Sequence, residues 1–303
     1  MSIAGQAVRV RAPATSANLG PGFDCFGMAL TLYDDVVVEV AADGLRIEVA
    51  GEGADEVPRG ERHLVVRALR AGFAALGEQP PGLTLRCTNC IPHGRGLGSS
   101  AAAIVTGLLA ARALAARGAE GLDTDALLAL ATRLEGHPDN VAACLYGGLT
   151  LAWLQDGMPA AVRLEPAPEV VPLVFIPTSE LSTEHARGLL PATVPHADAA
   201  ANAGRAALLV AALTRRADLL LAATEDRLHQ DYRAPAMPES AALVKRLRTA
   251  GIPAVVSGAG PSVLVLATSA TLSQLREPGG AIPPGWRELP VEVDASGAAV
   301  VPA

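Results

Sequence analysis

Residues 92–103 have the residue types and spacing from which the chemistry of this chain is most directly inferred. Glycines occupy every second position (Gly94, Gly96 and Gly98), and two serines follow them. Because glycine has no Cβ, this backbone can bend sharply and press its N–H groups against a ligand. Helix formers run over residues 101–117, so the loop opens a helix, whose free N–H groups and dipole attract an anion. A phosphate chain suits such a cradle, and the segment predicts a nucleotide-binding enzyme.

Residues 92–103 lack features that two other kinds of phosphate-binding glycine loop require. A Walker-type loop needs Gly-Lys-Ser/Thr, but the single lysine of the chain is Lys245, far from the glycines. Residues 96–101 match the relaxed dinucleotide fingerprint G-x-G-x-x-A, which requires an acidic residue at the end of a second strand about 20 residues further on. Residues 120–125 are instead a polar linker before another helix, so this fingerprint lacks its context. A tight strand-to-helix turn without a ligand is the remaining alternative.

Composition narrows the class of protein. The chain has 303 residues, 50% of them hydrophobic, and a net charge of -7, which suits two modest domains or one large one. An acidic chain without basic runs argues against non-specific binding to nucleic acid. The first residues lack the apolar core of a signal peptide, and the most apolar stretch, residues 101–111, is too short to span a bilayer. We therefore expect a cytoplasmic protein without a nucleic-acid or membrane partner.

Hydrophobic periodicity and turn signals place the motifs on mixed elements. Strands are expected at residues 8–11, 35–40, 45–49, 83–90, 147–154, 161–164, 170–176, 254–257, 263–267, 286–293 and 298–301. Helices are expected at residues 63–76, 101–117, 123–135, 183–190, 197–224 and 239–250, with a fading helix and loop at 272–285. Residues 41–44 indicate a hairpin turn, and residues 155–165 a domain break. The fold class is α+β, with domains at residues 1–160 and 161–303.

Three motifs together resemble a known enzyme family. Residues 92–102 resemble the Pro-x-x-x-Gly-Leu-Gly-Ser-Ser-Ala-Ala signature of the GHMP small-molecule kinases, which include galactokinase, homoserine kinase and mevalonate kinase. Residues 13–24 resemble the N-terminal motif of that family, and residues 257–262 resemble its C-terminal glycine motif. Residues 13–24 and 135–142 have the form typical of its homoserine kinases. The resemblance implies an N-terminal ribosomal-protein-S5-like domain with a left-handed β-α-β crossover and a C-terminal ferredoxin-like domain.

The same resemblance implies ATP-dependent phosphorylation of the side-chain hydroxyl of L-homoserine to O-phospho-L-homoserine, in threonine biosynthesis, assisted by Mg²⁺. It assigns the ATP-binding loop to Pro92, His93, Gly94, Arg95, Gly96, Leu97, Gly98, Ser99, Ser100, Ala101 and Ala102. It assigns the substrate site to Asn18, Asp24, His137, Asn140, Thr183, Arg187 and Arg233. Ser100 and Glu135 match the magnesium ligands of the family, and Asp139 and Asn140 complete the catalytic set.

The proposed substrate explains why those residue types are needed. Homoserine has an ammonium and a carboxylate at one end and a hydroxyl at the other. By the resemblance, Asp24 binds the ammonium, while Arg187 and Arg233 grip the carboxylate. Asn140 lies near the transferred phosphoryl group. Asp139 is either a general base or the cap of the next helix, because phosphoryl transfer depends mostly on positioning and charge stabilisation.

Alternatives stay open at the level of sequence. A relative acting on another small alcohol, such as mevalonate, would have no use for Asp24 if that alcohol lacks an ammonium group. A non-catalytic relative should have lost the glycine loop, Ser100 or the acidic metal site, all of which this chain keeps.

His63 stands where many homoserine kinases have an asparagine against adenine, which leaves the adenine contact undefined. The resemblance also allows a homodimer.

Overall fold

The structure, a computed structural model, describes residues 5–116, 118–275 and 283–302. Its strands form a seven-stranded and a four-stranded sheet. The strands are β1 (Ala7–Ala17), β2 (Phe26–Ala41), β3 (Gly44–Gly51), β4 (Gly82–Asn89), β5 (Leu149–Gln155), β6 (Met158–Leu164), β7 (Val171–Ile176), β8 (Ala254–Val256), β9 (Val263–Ala267), β10 (Arg287–Pro290) and β11 (Ala299–Val301). The helices are α1 (Leu64–Ala75), α2 (Ser99–Leu114), α3 (Gly118–Gly121), α4 (Thr124–Glu135), α5 (Asp139–Tyr146), α6 (Thr183–Gly188), α7 (His196–Thr214), α8 (Leu220–Ala223), α9 (Gln230–Arg233), α10 (Pro238–Thr249) and α11 (Ser269–Leu275).

The first sheet has the order β11-β1-β2-β4-β3, and β5 with β6 extends it from the other end of β2. The expected hairpin at residues 41–44 is wrong, because β4 lies between β2 and β3. Leu83, Leu85 and Cys87 of β4 pair with valines of antiparallel β2 on one side and with apolar residues of parallel β3 on the other. The β3–α1–β4 segment is therefore a parallel β-α-β unit.

The second sheet has the order β10-β7-β9-β8 and is antiparallel throughout. Strand β9 is buried along its whole length, as expected for a continuous apolar run. The helix expected at residues 197–224 divides into α7, a 3₁₀ turn and α8, because the chain leaves helical geometry at Arg215 and Arg216. The α+β class is confirmed. Part of the segment expected at residues 272–285 lies outside the described residues.

Helix α2 occupies the core of the first half of the molecule, and most of its residues are buried. Gly107 lies at its middle, where α1 crosses it. A Cβ at Gly107 would lie 2.5 Å from the carbonyl oxygen of Val65, so only glycine lets the two helices approach this closely. Packing thus fixes the axis of α2, and with it the direction in which its N-terminus points.

The chain passes from the first sheet to the second between Leu164, the end of β6, and Val171, the start of β7. Strands β5 and β6 form a hairpin whose turn, Asp156-Gly157, has positive φ at both residues, and β6 still belongs to the first sheet. The chain returns at its end to the first sheet, where β11 pairs with β1. The division at residue 160 stays a prediction. Among the helices that the structure describes, none combines the length and apolar character that a membrane crossing requires.

Candidate active site

The glycine loop joins β4 to α2 through three left-handed residues. Gly94, Gly96 and Gly98 have φ angles of 61°, 70° and 69°, which residues with a Cβ rarely adopt. Gly98 is the N-cap of α2, and no side chain of the described residues caps this helix. By contrast, α4 is capped by the Asp123 carboxylate, which accepts the Ala126 N–H at 2.8 Å. The N–H groups of the first turn of α2 are therefore open to an anion.

The three sequence motifs meet at this loop. The Ser257 hydroxyl donates a hydrogen bond to the carbonyl oxygen of Gly96 at 2.7 Å. The Asn18 side-chain amide donates to the carbonyl oxygen of Gly258 at 2.9 Å. Asn18 itself has a positive φ of 69°, a conformation that asparagine tolerates. Residues more than 150 positions apart in the chain, such as Gly96 and Ser257, thus fix one surface.

A cavity of about 80 Å³ opens beside the loop. Its lining residues are Asn18, Gly94, Gly96, Leu97, Gly98, Ser99, Ser100, Glu135, His137, Asp139, Asn140, Leu181, Thr183, Arg187, Arg233, Gly258 and Ala259. Asp24 reaches this group through a contact with Arg187. Ala101 and Ala102 are buried in the core behind the loop, and Pro92 is also buried. The structure therefore brings together the residues that the resemblance assigns to substrate, metal and phosphate.

Ser100 and Glu135 form an oxygen pair at the N-terminus of α2. The Ser100 hydroxyl donates to Oε2 of Glu135 at 2.6 Å. Glu135 ends α4 and lies mostly away from solvent, and this burial raises the pKa of its carboxyl. Within the described residues there is no group of three or more His, Cys, Asp and Glu side chains that could hold a metal ion. A cation at Ser100 and Glu135 would take its other ligands from water or phosphate.

His137, Asp139 and Asn140 form a second polar group at the start of α5. The His137 Nδ1–H donates to Oδ1 of Asp139 at 2.6 Å, and the same oxygen accepts the Asn140 backbone N–H at 2.7 Å. Burial lowers the pKa of His137, but its hydrogen bond to Asp139 and the charges of Asp139 and Glu135 outweigh burial and raise it. Asp139 is the first residue of α5 rather than its N-cap, which is Pro138, and its carboxylate orients both His137 and the N–H of Asn140.

Asp24 and Arg187 bind each other. Arg187 forks the carboxylate, with Nη1 at 3.0 Å from Oδ2 and Nη2 at 2.6 Å from Oδ1. This hydrogen bond raises the pKa of Arg187 despite partial burial. Asp24 has a φ of 55°, and its N–H donates to Oδ1 of Asn18 at 2.9 Å. The residues expected to bind the ammonium and the carboxylate of one amino acid thus form an ion pair with each other.

Arg233 has a different environment. Its side chain is 1% exposed, and burial lowers the pKa of its guanidinium. It donates to the carbonyl oxygens of Ala186 (3.3 Å) and Gly258 (3.4 Å) and to Nδ1 of His229 (3.2 Å). Among the residues that the structure describes, no carboxylate lies within ion-pair distance of this cation. Arg233 thus faces the cavity as a buried charge without an acidic partner.

A second cavity, of about 230 Å³, adjoins the first, because Ser99 and Ser100 line both. Apolar residues that include Val57, Leu64 and Val65 form part of its wall. The wall also contains His63, whose buried Nδ1 has no hydrogen-bond partner in the described part of the chain. Burial, with the positive charges of Arg59 and His93, lowers the pKa of His63. A flat heterocycle with polar edges would suit this pocket.

Several residues of the site lie outside the set expected from the sequence. Thr15 donates its hydroxyl to Oδ1 of Asn140 at 2.8 Å and so orients that amide. Asp34 accepts the Cys90 N–H at 2.7 Å, where the chain leaves β4 for the glycine loop. His229 contacts Arg233 and precedes it by one helical turn, a spacing in the sequence that could have paired the two residues.

The side chain of Arg95 is held by contacts within the protein. Its guanidinium donates to the carbonyl oxygens of His93, Pro177 and Thr178. It also forms an ion pair with Glu180 at 3.0 Å. The side chain therefore ties the glycine loop to the segment that follows β7, and only the main chain of Arg95 remains to face a phosphate.

Family models match both halves of the chain. The model of the GHMP kinase N-terminal domain matches residues 63–148, and that of the GHMP kinase C-terminal domain matches residues 199–279. Homoserine kinase of Streptomyces avermitilis is 63% identical over 296 residues, which are 98% of this chain and 96% of that protein. Homoserine kinase of Clavibacter michiganensis is 54% identical over 301 residues, covering 98% and 94% of the two chains.

Solved structures have the same fold. The crystal structure of homoserine kinase from Cytophaga hutchinsonii superposes with a TM-score of 0.85 at 29% identity and covers 97% of each chain. Mevalonate kinase of L. major, in complex with R-mevalonate, superposes with a TM-score of 0.64 at 17% identity, covering 95% of this chain and 96% of its own. The second comparison shows a shared fold alone.

Proposed function

The chain belongs to the GHMP kinase family, and from this premise we propose that it phosphorylates the side-chain hydroxyl of L-homoserine with ATP. The product is O-phospho-L-homoserine, an intermediate of threonine biosynthesis. Homoserine kinases at 54–63% identity over 98% of the chain support this activity. The site supports the same activity independently, because the charges of Asp24, Arg187 and Arg233 match the ammonium and the carboxylate of an amino acid.

The observation that carries the proposal is the buried guanidinium of Arg233. A buried charge without a partner is costly, so a site that keeps one is built for an anionic group of its ligand. Arg187 lies close enough to lower the pKa of Arg233, which indicates two cations facing the same region. Two guanidinium groups suit a carboxylate, and Asp24 beside them suits an ammonium. An alcohol acid without an ammonium would leave Asp24 without that role.

Substrate binding replaces the ion pair between Asp24 and Arg187 with ion pairs between these residues and the charged groups of the ligand. In the open site Asp24 neutralises Arg187. Homoserine presents a carboxylate to Arg187 and Arg233 and an ammonium to Asp24, so each charge of the protein keeps an opposite charge. A ligand with a carboxylate alone would have to compete with Asp24 for Arg187 or bind Arg233 by itself, so it would form fewer charged contacts than homoserine. The ion pair thereby favours zwitterions.

ATP occupies the space on the other side of the loop. The N-terminus of α2 and the N–H groups of the glycine loop bind the triphosphate. The base enters the 230 Å³ cavity, where Leu64 and Val65 provide apolar contact and the unpartnered Nδ1 of His63 provides a polar one. Because the two cavities meet at Ser99 and Ser100, the end of the phosphate chain points toward the substrate hydroxyl.

We propose Ser100 and Glu135 as the residues that hold Mg²⁺. Both offer hard oxygen atoms, and their 2.6 Å contact supports the proposal because it places the two oxygens side by side at the N-terminus of α2. When bound, the ion offsets the charge that the phosphate oxygens carry in the transition state. Asn140, held by Thr15 and Asp139, is placed to orient the phosphoryl group. Asp139 uses one oxygen on His137 and Asn140 and is a positioning group rather than a required base.

A coupled ADP-release assay tests this proposal. Homoserine, mevalonate, serine and galactose should each be offered with ATP and Mg²⁺ to the same enzyme preparation. We expect turnover with homoserine and background rates with the other three. Turnover of another alcohol with none on homoserine would overturn the assignment. Omitting Mg²⁺ should abolish the homoserine signal, whereas the same rate without any divalent cation would contradict the role given to Ser100 and Glu135.

We also propose a homodimer located in the cytoplasm. Trp153, Met158 and Val162 lie on the same face of the β5–β6 hairpin and are 42%, 59% and 42% exposed. An exposed apolar face of this kind suits a second copy of the chain. Sedimentation should give about twice the 30.8 kDa chain mass, and Trp153→Asp should shift the protein toward the monomer.

A further inference from the structure

Phe23 lies beneath both guanidinium groups of the site. Its ring centroid is 5.7 Å from Cζ of Arg187 and 5.2 Å from Cζ of Arg233. The negative face of an aromatic ring attracts cations at such distances. Two arginines that repel each other therefore share one flat, weakly attractive platform, and this platform precedes Asp24 by a single residue.

His229 packs against the other part of that platform. Its ring is stacked on Phe23, with centroids 5.1 Å apart and planes inclined by 28°. The side chain is fully buried, and Nε2 lies 2.9 Å from the carbonyl oxygen of Gly20. Since a carbonyl oxygen can only accept, Nε2 carries the proton. Nδ1 is then the acceptor for Nη1 of Arg233, at 3.2 Å.

This tautomer depends on a neutral ring. Burial lowers the pKa of His229, and the positive charge of Arg233 lowers it further, against the raising effect of Asp226. A protonated ring would instead direct an N–H from Nδ1 at the guanidinium. The contacts thus link the loop that holds Gly20 and Phe23 to α9, which holds Arg233, and they set the plane of its guanidinium group.

We propose that Phe23 and His229 are positioning residues of the carboxylate subsite: together they hold Arg187 and Arg233 side by side so that both can grip one carboxylate. The inference rests on the proposed function, since it assumes an amino-acid substrate. On this proposal, substrate specificity depends in part on Phe23, which carries no charge, and on His229, which acts on the substrate through Arg233. None of the hydrogen bonds and ring contacts of these two residues described above involves the glycine loop, so their loss should weaken binding of the amino acid and leave ATP binding unchanged.

Two replacements of His229 separate its hydrogen bonds. In His229→Asn the amide oxygen occupies the place of Nδ1 and can still accept from Arg233. In His229→Gln the amide nitrogen occupies the place of Nε2 and can still donate to Gly20, but the acceptor is lost. We expect the KM for homoserine to rise about 10-fold in His229→Gln and about 3-fold or less in His229→Asn. The KM for ATP should stay within about 2-fold in both.

Phe23 provides a second test that does not disturb a fully buried position. Phe23→Leu removes the aromatic face, and Phe23→Tyr keeps it as the matched control. The KM for homoserine should rise about 5-fold or more in the first and about 2-fold or less in the second. Inhibition by L-2-aminobutanoate, which keeps both charges but has no hydroxyl, should weaken in parallel, whereas inhibition by ADP should not.

The possible results separate this inference from the proposed function. If the wild-type enzyme turns over homoserine but Asn and Gln at position 229 raise its KM equally, and Leu at 23 behaves like Tyr, the positioning role is wrong. A parallel rise in the KM for ATP would indicate general damage and also contradict it. If the wild type has no homoserine activity, the proposed function fails first. Thermal unfolding of each variant identifies any that has not folded, and the remaining pair then decides.

Discussion

Charged side chains of the site are held by neighbours that neutralise or orient them. Glu135 is held by Ser100, Asp24 by Arg187, and His137 by Asp139. Each contact is at 2.6 Å, the short distance that is typical of hydrogen bonds to ionised groups. These contacts fix the position of each charged group. Arg233 is also held by hydrogen bonds, but it has no acidic partner among the described residues, and this identifies where the ligand must supply the opposite charge.

Removing either proposed metal ligand should affect turnover more than nucleotide binding. Glu135→Gln takes away an anionic oxygen, and Ser100→Ala takes away the hydroxyl that contacts it. We expect kcat to fall by about 100-fold or more in each, because charge stabilisation acts mainly in the transition state. The KM for ATP should change by about 3-fold or less. Steady-state kinetics at saturating Mg²⁺ measures both constants.

Glu184→Gln is the matched control for this prediction. Glu184 is exposed on α6, outside the lining of the cavity, and its variant should retain wild-type kinetics. Unchanged rates in both Glu135→Gln and Ser100→Ala would mean that the ion binds elsewhere. A rescue of Glu135→Gln by a higher Mg²⁺ concentration would support the assignment.

The His137–Asp139 pair predicts how stability depends on pH. The pKa of His137 is raised in the folded protein above its ordinary value of 6.5. The stabilisation from this pair is therefore fully present below the unfolded pKa and is lost as the pH rises through the folded pKa. His137→Gln should lower the unfolding temperature more at about pH 5.5 than at about pH 8.5, relative to wild type. Differential scanning fluorimetry at both pH values checks this.

His185, an exposed histidine on α6, offers the control. His185→Gln should follow the wild type at both pH values. An equal loss of stability for His137→Gln at the two pH values would show that its contact with Asp139 stabilises the fold independently of charge.

Residue identities were easier to infer from the sequence than their partners. The resemblance singles out Asp24, Arg187 and Arg233, and the structure gathers these residues around one cavity. Nothing in the sequence, however, shows that Asp24 and Arg187 bind each other while Arg233 stays unpaired. The burial of each side chain and the distances between their charged groups decide which of them pair. Both depend on the packing of elements that lie about 160–210 positions apart in the sequence.

At the scale of elements, the glycine loop depends on two kinds of constraint. All three glycines need a positive φ, but their surroundings differ. A Cβ at Gly96 would lie 2.2 Å from the Ser257 carbonyl oxygen, and one at Gly98 would lie 1.9 Å from Thr15 Oγ1. At Gly94 the nearest atom, in Glu180, would be 3.4 Å away, an ordinary contact. Close packing therefore adds to backbone strain at two positions of the three.

Alanine substitutions should separate these constraints. Gly94→Ala meets only the left-handed backbone cost of about 1–2 kcal/mol and should keep activity within about 10-fold. Gly96→Ala and Gly98→Ala must also displace neighbouring atoms of the site. We expect each to reduce kcat/KM for ATP by about 100-fold or more and to lower the unfolding temperature further. Kinetics and thermal melts on the three variants test this order; equal effects at all three positions would contradict it.

The hairpin expected at residues 41–44 shows where local patterns stop being sufficient. Residues before and after this turn have the alternation of strands, and both are strands. Their order in the sheet is decided by β4, whose Leu83, Leu85 and Cys87 match apolar partners on both sides. The residues of a turn do not indicate whether a strand from elsewhere in the chain pairs between the two strands that the turn joins. The two strands beside this turn were therefore predictable, although β2 begins at Phe26 and not at residue 35, whereas their order in the sheet was not.

At the scale of the whole molecule, the end of the chain completes the first sheet. The Asp294 carboxylate accepts the Tyr33 hydroxyl at 2.7 Å, and burial of the phenol, together with this contact, raises the pKa of Tyr33 to about 12. Ala298 donates its N–H to the carbonyl oxygen of Cys144 at 2.7 Å, just before β11 pairs with β1. Sequence patterns predict a strand at residues 298–301 but not which sheet it joins. A fragment of residues 1–160 would lack these contacts.

Deleting residues 292–303 should therefore destabilise the whole enzyme without altering its chemistry. The deletion removes β11 and leaves the Tyr33 hydroxyl and the edge of β1 without their partners. A loss of about 4 kcal/mol from several hydrogen bonds and buried contacts corresponds to a fall of about 10 °C in unfolding temperature. Below that temperature, kcat/KM should stay within about 3-fold of wild type, because none of these residues lines the site. Deleting only residues 302–303, which follow β11, should leave the melting curve unchanged. If both deletions melt like the full chain, the C-terminal strand does not stabilise the first sheet, and the two halves are separable units after all.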